Sequence, residues 1–296
     1  MTVSVIIPTR GLAPQLATLL TALLHDHTEI VVGVTAADRE RVISRVVPIS
    51  TEIRVVSTPA AGAAAARNAA ASAAEGQTLV FVDDDMAVCD GFTDHHRDAV
   101  VDEDTVSIGR IHTVERGSWM ACAKARWLNE HFCRLDGRPA APRDLYSGNF
   151  ALTSRTFWHV GGFDPAWPAL HDTVLGLSLA AIGARFVYSR TALTTQCITK
   201  PNQEILNDYV AVGRHREEID RRFGENHGVP NLGHVAAGQD GVLVAGLSQL
   251  PDVVWRALAE AAARLAPYDG QVPHLFRAAA VRRGQRQPCS VTESKV

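Results

Sequence analysis

Lysine is used sparingly, aromatic residues make up only 6% of the 296-residue chain, and the formal charge is −3. So small a charge leaves no basic footprint for nucleic acid or an anionic membrane, and neither is expected as a partner. The five cysteines, Cys89, Cys122, Cys133, Cys197 and Cys289, are odd in number and show no CxxC spacing. That excludes a zinc ribbon or a paired disulfide framework and fits reduced thiols. No apolar run approaches the ~18 residues of a membrane span, and Met1 leads directly into the strand-like run Val3-Ser4-Val5-Ile6-Ile7-Pro8. A cytoplasmic protein without a leader or transmembrane segment is therefore expected. No HExxH pair occurs among the twelve histidines, and no GxGxxG follows the first strand, which argues against a zincin and a nicotinamide enzyme.

What remains is an ordinary globular composition, 46% hydrophobic and 21% charged. In the first half, β-branched runs at residues 3–7, 29–34, 53–57 and 79–82 alternate with helical patterns at 13–24, 37–46 and an alanine-rich stretch ending near 74. The alternation predicts an α/β protein with a mostly parallel sheet flanked by helices. Further on, helices are expected over 119–132, from Ser154 as N-cap, over 173–182 with Asp172 as N-cap, and over 252–265. The last should bury Val254, Leu258, Ala261 and Leu265. Strands are expected at 149–152 and 185–188, irregular chain at 224–246, and a disordered tail from Arg282.

Asp83-Asp84-Asp85 closes the apolar run at 79–82. Three adjacent carboxylates repel, so they are solvated, paired with cations or bound to a metal. Ligands of open parallel sheets bind outside the carboxyl ends of strands, which favours a hard divalent cation, Mg2+ or Mn2+, bridging to phosphate. Arg67 sits in the alanine-rich helix; by itself it reads as a surface residue or as one aimed at an anion. Asp172 in a first helical turn would stay ionised and directed, as a general base requires. Trp127, Trp158 and Trp167 are candidates for stacking on a sugar or for the core.

In order, Val3 to Thr9, Ala66-Arg67-Asn68, Phe81 to Asp85, Gly148-Asn149, Gly161-Gly162-Phe163-Asp164 and His171-Asp172 resemble the motifs of the inverting family-2 glycosyltransferases of the GT-A fold, over roughly residues 2–190. The resemblance implies a Rossmann-like GT-A domain over 1–222, with a nucleotide-binding half (1–100) and an acceptor-binding half (101–222), followed by a C-terminal helical extension over 223–296. It implies transfer of a hexosyl or N-acetylhexosaminyl group from a nucleoside-diphosphate sugar to a hydroxyl or amine. Without a membrane anchor, the expected acceptor is a small molecule, a secondary metabolite or a soluble glycan, and the oligomeric state, a homo-oligomer included, is left open. Asp172 would be the base, and Asp83, Asp85 and His215 the metal set. Pro8, Thr9, Arg10, Thr35, Arg67, Asp83, Asp84, Gly148, Asn149 and His171 would line the donor. Two departures stand out. The acidic element that follows the family's second strand is absent here, leaving Thr35 or Asp38 to substitute, and Gln196 stands where many members carry a metal-binding histidine. The alternatives are a haloacid-dehalogenase-type phosphohydrolase, which also uses an acidic DxD strand end, and a nucleotide-sugar binder without catalysis.

Overall fold

The computed structural model describes residues 2–26, 28–224 and 239–287. The chain divides into two compact units, Met1–His112 with Asn129–Gln196, and Thr113–Leu128 with Cys197–Val296.

The first unit is built on an eight-stranded sheet. Four strands, β1 (Val3–Pro8), β2 (Glu29–Thr35), β3 (Arg54–Thr58) and β4 (Thr78–Val82), run parallel in the order β3-β2-β1-β4. β1 and β4 are buried along nearly their whole length, and apart from the buried Ser4 and Thr78 they read as hydrophobic runs. Chain direction across the sheet reverses at β1, from which β2 and β3 go one way and β4 the other. The crevice at such a reversal, beyond the carboxyl ends of β1 and β4, is where ligands of open α/β sheets sit.

The remaining strands are β5 (Met86–Val88), β6 (Thr105–Val114), β7 (Asn149–Thr153) and β8 (Arg185–Cys197), in the order β4-β7-β6-β8-β5. Here the pairing turns antiparallel: β4 with β7, β7 with β6, and β8 with β5. The parallel character expected from the first half therefore belongs to β1–β4. β8 runs nine residues past the expected 188, to Cys197, because its pairing with β5 extends the ladder through Met86↔Gln196.

The helices of this unit are α1 (Leu16–Leu24), α2 (Arg39–Val46), α3 (Ala63–Ala73), α4 (Phe92–Ala99), α6 (Ser154–His159) and α7 (His171–Ala181), while α5 (Trp119–Leu135) runs across the division between the units. The alanines of α3 have a structural purpose: a Cβ on Gly33 of β2 would lie 2.0 Å from Ala66 O, so helix and sheet touch backbone to backbone. Beneath β4, Phe81 stacks on Phe150 at 4.6 Å, with Phe157 and Phe163 at 5.0 and 5.5 Å.

In the second unit, α8 (Asn202–Phe223), α9 (Gln239–Leu247), α10 (Asp252–Leu265) and α11 (Gln271–Gln285) are helices. Gly213 of α8 faces Val281 O, and Gly284 of α11 faces Val210 O; a Cβ at either would be 1.9 Å from that oxygen. Two glycines thus allow α8 and α11 to approach closely. Three expectations are corrected. α10 buries Trp255 and Ala259, while Val254, Leu258, Ala261 and Leu265 are exposed. The indole of Trp255 packs on Phe276 of α11 at 5.1 Å, and so large an aromatic contact orients the helix over its more numerous aliphatics. Residues 239–246 are helical and not irregular, and α11 continues through Arg282 to Gln285. Expectations for 225–238 and 288–296, Cys289 included, lie outside the described residues. Among the described residues no helix is long and apolar enough to cross a membrane.

Candidate active site

The acidic run leaves β4 and turns into β5, with Met86 N donating to Asp83 O at 3.2 Å. Each of its carboxylates has its own donor. Arg67 Nη2 donates to Asp83 Oδ1 at 2.5 Å, Thr9 Oγ1 to Asp84 Oδ2, and Gln196 Nε2 to Asp85 Oδ1 and Oδ2 at 3.0 and 2.8 Å. Burial raises the Asp84 carboxyl above its ordinary value. Burial, then the neighbouring Asp83 charge, pushes Asp85 up to about 6, against the opposing hydrogen bond from Gln196.

Arg67 is the junction of the site. It is 3% exposed and not a surface residue, and its guanidinium lies 5.3 Å over the Phe163 ring. Its Nη1 reaches His171 Nε2 at 3.0 Å. Because arginine only donates, Nε2 accepts and the imidazole is the neutral Nδ1–H tautomer. Burial lowers the His171 pKa, and Arg67 adds to this, while Asp172 opposes it. One side chain therefore joins the end of β4 to the start of α7. Asn68 fixes the next link: its Nδ2 donates to Phe163 O at 2.6 Å, and Phe163 N donates to its Oδ1 at 3.0 Å. Gly162, at φ 71°, keeps this clamp open, since a Cβ there would lie 2.9 Å from Asn68 Oδ1.

α7 begins two residues earlier than expected. Its N-cap is Leu170, at φ 61° the only non-glycine residue with positive φ among the described residues. A branched side chain in the left-handed region costs energy, and such strain concentrates where geometry is functional. His171 and Asp172 are then the first two helical residues, and Asp172 Oδ1 accepts from Thr173 N at 2.8 Å. Asp172 is thus held by the first turn rather than capping it. Likewise Thr153, and not Ser154, caps α6, its side chain accepting from Thr156 N.

Gly148 lies against the acidic end; a Cβ would come 2.8 Å from Asp83 Oδ2 and 2.6 Å from Met86 Cε. Asn149 differs from the expectation of a donor-lining residue. It is 0% exposed, its Nδ2 donates to Arg110 O and Ala192 O at 2.9 Å each, and its Oδ1 lies 2.8 Å from His96 Nε2. An amide so engaged ties β7 to its neighbours and has nothing left for a sugar. Its partner His96 is buried and neutral, pushed down to about 4 by burial.

On the β1–β2 side, Thr9 N donates to Gly33 O at 2.9 Å, and Thr35 Oγ1 donates to Asp38 Oδ2 at 2.8 Å. Asp38, buried at the end of a 3-10 turn after β2 (Ala36–Asp38), also pairs with Arg41 and, at 3.7 Å, with the exposed Arg10. Arg41 Nε and Arg45 Nη1 hold Arg10 O and Gly11 O at 2.8 and 2.5 Å. Pro8 pairs with Gly33 in the ladder. Of the tryptophans, Trp167 is buried, Trp158 is partly exposed, and Trp127 of the second unit carries Arg277 over its ring at 5.4 Å.

Among the described residues no three His, Cys, Asp or Glu side chains form a group that could hold a metal. His215, expected in the metal set, is buried on α8 of the second unit. Asp83 and Asp85 nonetheless fit a hard cation: they are oxygen donors at a strand end, partly open, and one or two carboxylates plus substrate phosphates are the usual shell for Mg2+ or Mn2+.

Two features were not expected from the sequence, the positive φ of Leu170 and the Asn68–Phe163 clamp. A φ leaves no trace at a leucine; the clamp had a signal in the asparagine that follows Arg67.

Residues 4–134 match the family model described as Glycosyl transferase family 2. No curated protein matches the chain. Among solved structures, the chain is similar to the mannosyltransferase PcManGT from Pyrobaculum calidifontis in complex with GDP-Man and Mn2+, with 18% identity, 95% of this chain and 86% of that one covered, and TM-score 0.61. It is also similar to GalNAc-T7 with UDP, GalNAc and Mn2+, at 13% identity, 90% and 55% coverage, and TM-score 0.55. The chain thus spans about half of the second structure. At these identities the likeness is one of fold, the GT-A fold.

Proposed function

For a chain whose residues 4–134 are a family-2 glycosyltransferase region on a GT-A fold, we propose metal-dependent, inverting transfer of a hexose-type sugar from a nucleoside-diphosphate donor. The acceptor is a hydroxyl or amine of a small molecule or soluble glycan, and the site of action is cytosolic.

The observation that carries this reading is the Arg67 junction. Its guanidinium meets Asp83 and His171 together, so the diphosphate end and the base end of a transfer reaction share one cationic group. Asp172, in the first turn of α7, accepts the proton of the acceptor hydroxyl as that oxygen attacks the anomeric carbon. Displacement from the face opposite the diphosphate inverts the configuration. Arg67 donates to diphosphate oxygens as negative charge grows there. His171, neutral and accepting from Arg67, orients that guanidinium without adding a charge. Thr9 and Arg10 line the side of the crevice beside β2, where the base of the nucleotide lies. Asp83 and Asp85 would hold a divalent cation, Mg2+ or Mn2+, which when bound offsets the charge of the leaving diphosphate. The Mn2+ in both similar structures supports that choice.

Thermal unfolding with a panel of nucleoside diphosphates, with and without Mn2+, tests the reading. Stabilisation by one nucleotide that requires Mn2+ is expected; a ligand at 100 times its Kd adds about 2.7 kcal/mol. No shift with any nucleotide would leave the chain a fold without this function.

A further inference from the structure

The three carboxylates at the end of β4 are held by donors from three separate elements: Arg67 on α3, Thr9 after β1 and Gln196 on β8. Asp85 is the most completely occupied, with Gln196 Nε2 within 3.0 Å of both oxygens. The contact is built into the sheet, because Gln196 pairs with Met86, the residue after Asp85. The cluster is therefore satisfied by the protein alone. A cation arriving by itself has to displace donors from charged acceptors, each worth roughly 10- to 100-fold in an equilibrium. Nothing compensates for this, since no group of three His, Cys, Asp or Glu side chains able to hold a metal occurs among the described residues.

We propose that Gln196 is a positioning residue that lowers the cation affinity of this site: its amide holds both oxygens of Asp85, so that a cation binds appreciably only when the nucleoside diphosphate adds ligands of its own. The diphosphate supplies what is missing. Its oxygens accept from Arg67, freeing Asp83, and add oxygen ligands of their own, which offsets the loss of the Gln196 hydrogen bonds. The coupling is reciprocal, each ligand raising the affinity of the other by the same factor. This inference rests on the donor-diphosphate reading of the same strand end.

Free Mn2+ measured by electron paramagnetic resonance during titration of the full chain tests it, first without nucleotide and then with GDP or with UDP. The wild type should bind bare Mn2+ at least about tenfold more weakly than Mn2+ with its nucleotide. Gln196→Met removes the donor and should tighten Mn2+ binding by about tenfold with or without nucleotide, because the Gln196 hydrogen bonds are given up in both cases. Gln196→Glu turns donor into acceptor and should tighten it at least as much, which gives a second reading if the methionine variant melts early. Equal Mn2+ affinity with and without nucleotide in the wild type would overturn the inference. So would folded variants whose bare affinity is unchanged or weaker. Absence of Mn2+ binding under every condition, with no nucleotide shift in melting, would instead overturn the donor-site reading beneath it.

Discussion

Asp85→Asn is expected to stabilise the cation-free protein at neutral pH, although it removes a residue assigned to the site. The Asp85 carboxyl is raised from 3.8 to about 6 by burial and by Asp83. A folded-state value above the unfolded one means that protons favour the folded chain. The stabilisation is fully present below about 3.8 and is lost as pH rises through about 6. Above that, the ionised group is a penalty: the rise from 3.8 to about 6, at ~1.36 kcal/mol for each pH unit, sets a ceiling of about 3 kcal/mol. Partial exposure of the cluster reduces this to about 1–2 kcal/mol. Asparagine is neutral and keeps an oxygen to accept from Gln196 Nε2, so it avoids the penalty with little loss of bonding. Unfolding in EDTA at pH 8 should show Asp85→Asn melting higher by roughly 2–8 °C, at ~2–4 °C per kcal/mol. Most of that gap should close by pH 4.5. A variant that melts lower at pH 8, or whose advantage is the same at both pH values, would refute the reasoning.

Asn149→Ala should cost about 3–4 kcal/mol in urea unfolding, because it strands the carbonyls of Arg110 and Ala192 and the buried His96 together. A loss of sugar-donor affinity without loss of stability would return Asn149 to the donor site. Gly148→Ala should fold but weaken nucleotide binding about tenfold by calorimetry, since its Cβ would press Asp83 from 2.8 Å. Unchanged affinity would mean that Asp83 is free to move.

Much of the first half was legible because its signals are local. The largely apolar runs of β1 and β4 and the alanine stretch of α3 state their own burial. The position of the carboxylates after β4 follows from strand order. What stayed hidden depends on partners far along the chain. Arg67 reads as a surface residue until Asp83 and His171 meet it across 16 and 104 residues. Asn149 stands beside Gly148 in the motif, yet its amide is committed to carbonyls about 40 residues away on either side, at Arg110 and Ala192. On α10 the more numerous aliphatic stripe pointed to one face, and a single tryptophan packing on Phe276 turned the helix to another. Gln196 was visible only as a departure from a pattern; its contact with both oxygens of Asp85 comes from the register of β8 against β5. Periodicity reports which residues are buried, whereas register and strand order decide which polar groups meet.

The direct measurement of the central claim compares wild type and Asp172→Asn for nucleotide-sugar binding and for sugar transfer, with the donor found by the thermal screen. Donor affinity within about twofold of wild type is expected, with transfer reduced by roughly 100- to 10,000-fold, the usual contribution of a general base. Transfer at the wild-type rate would contradict the claim.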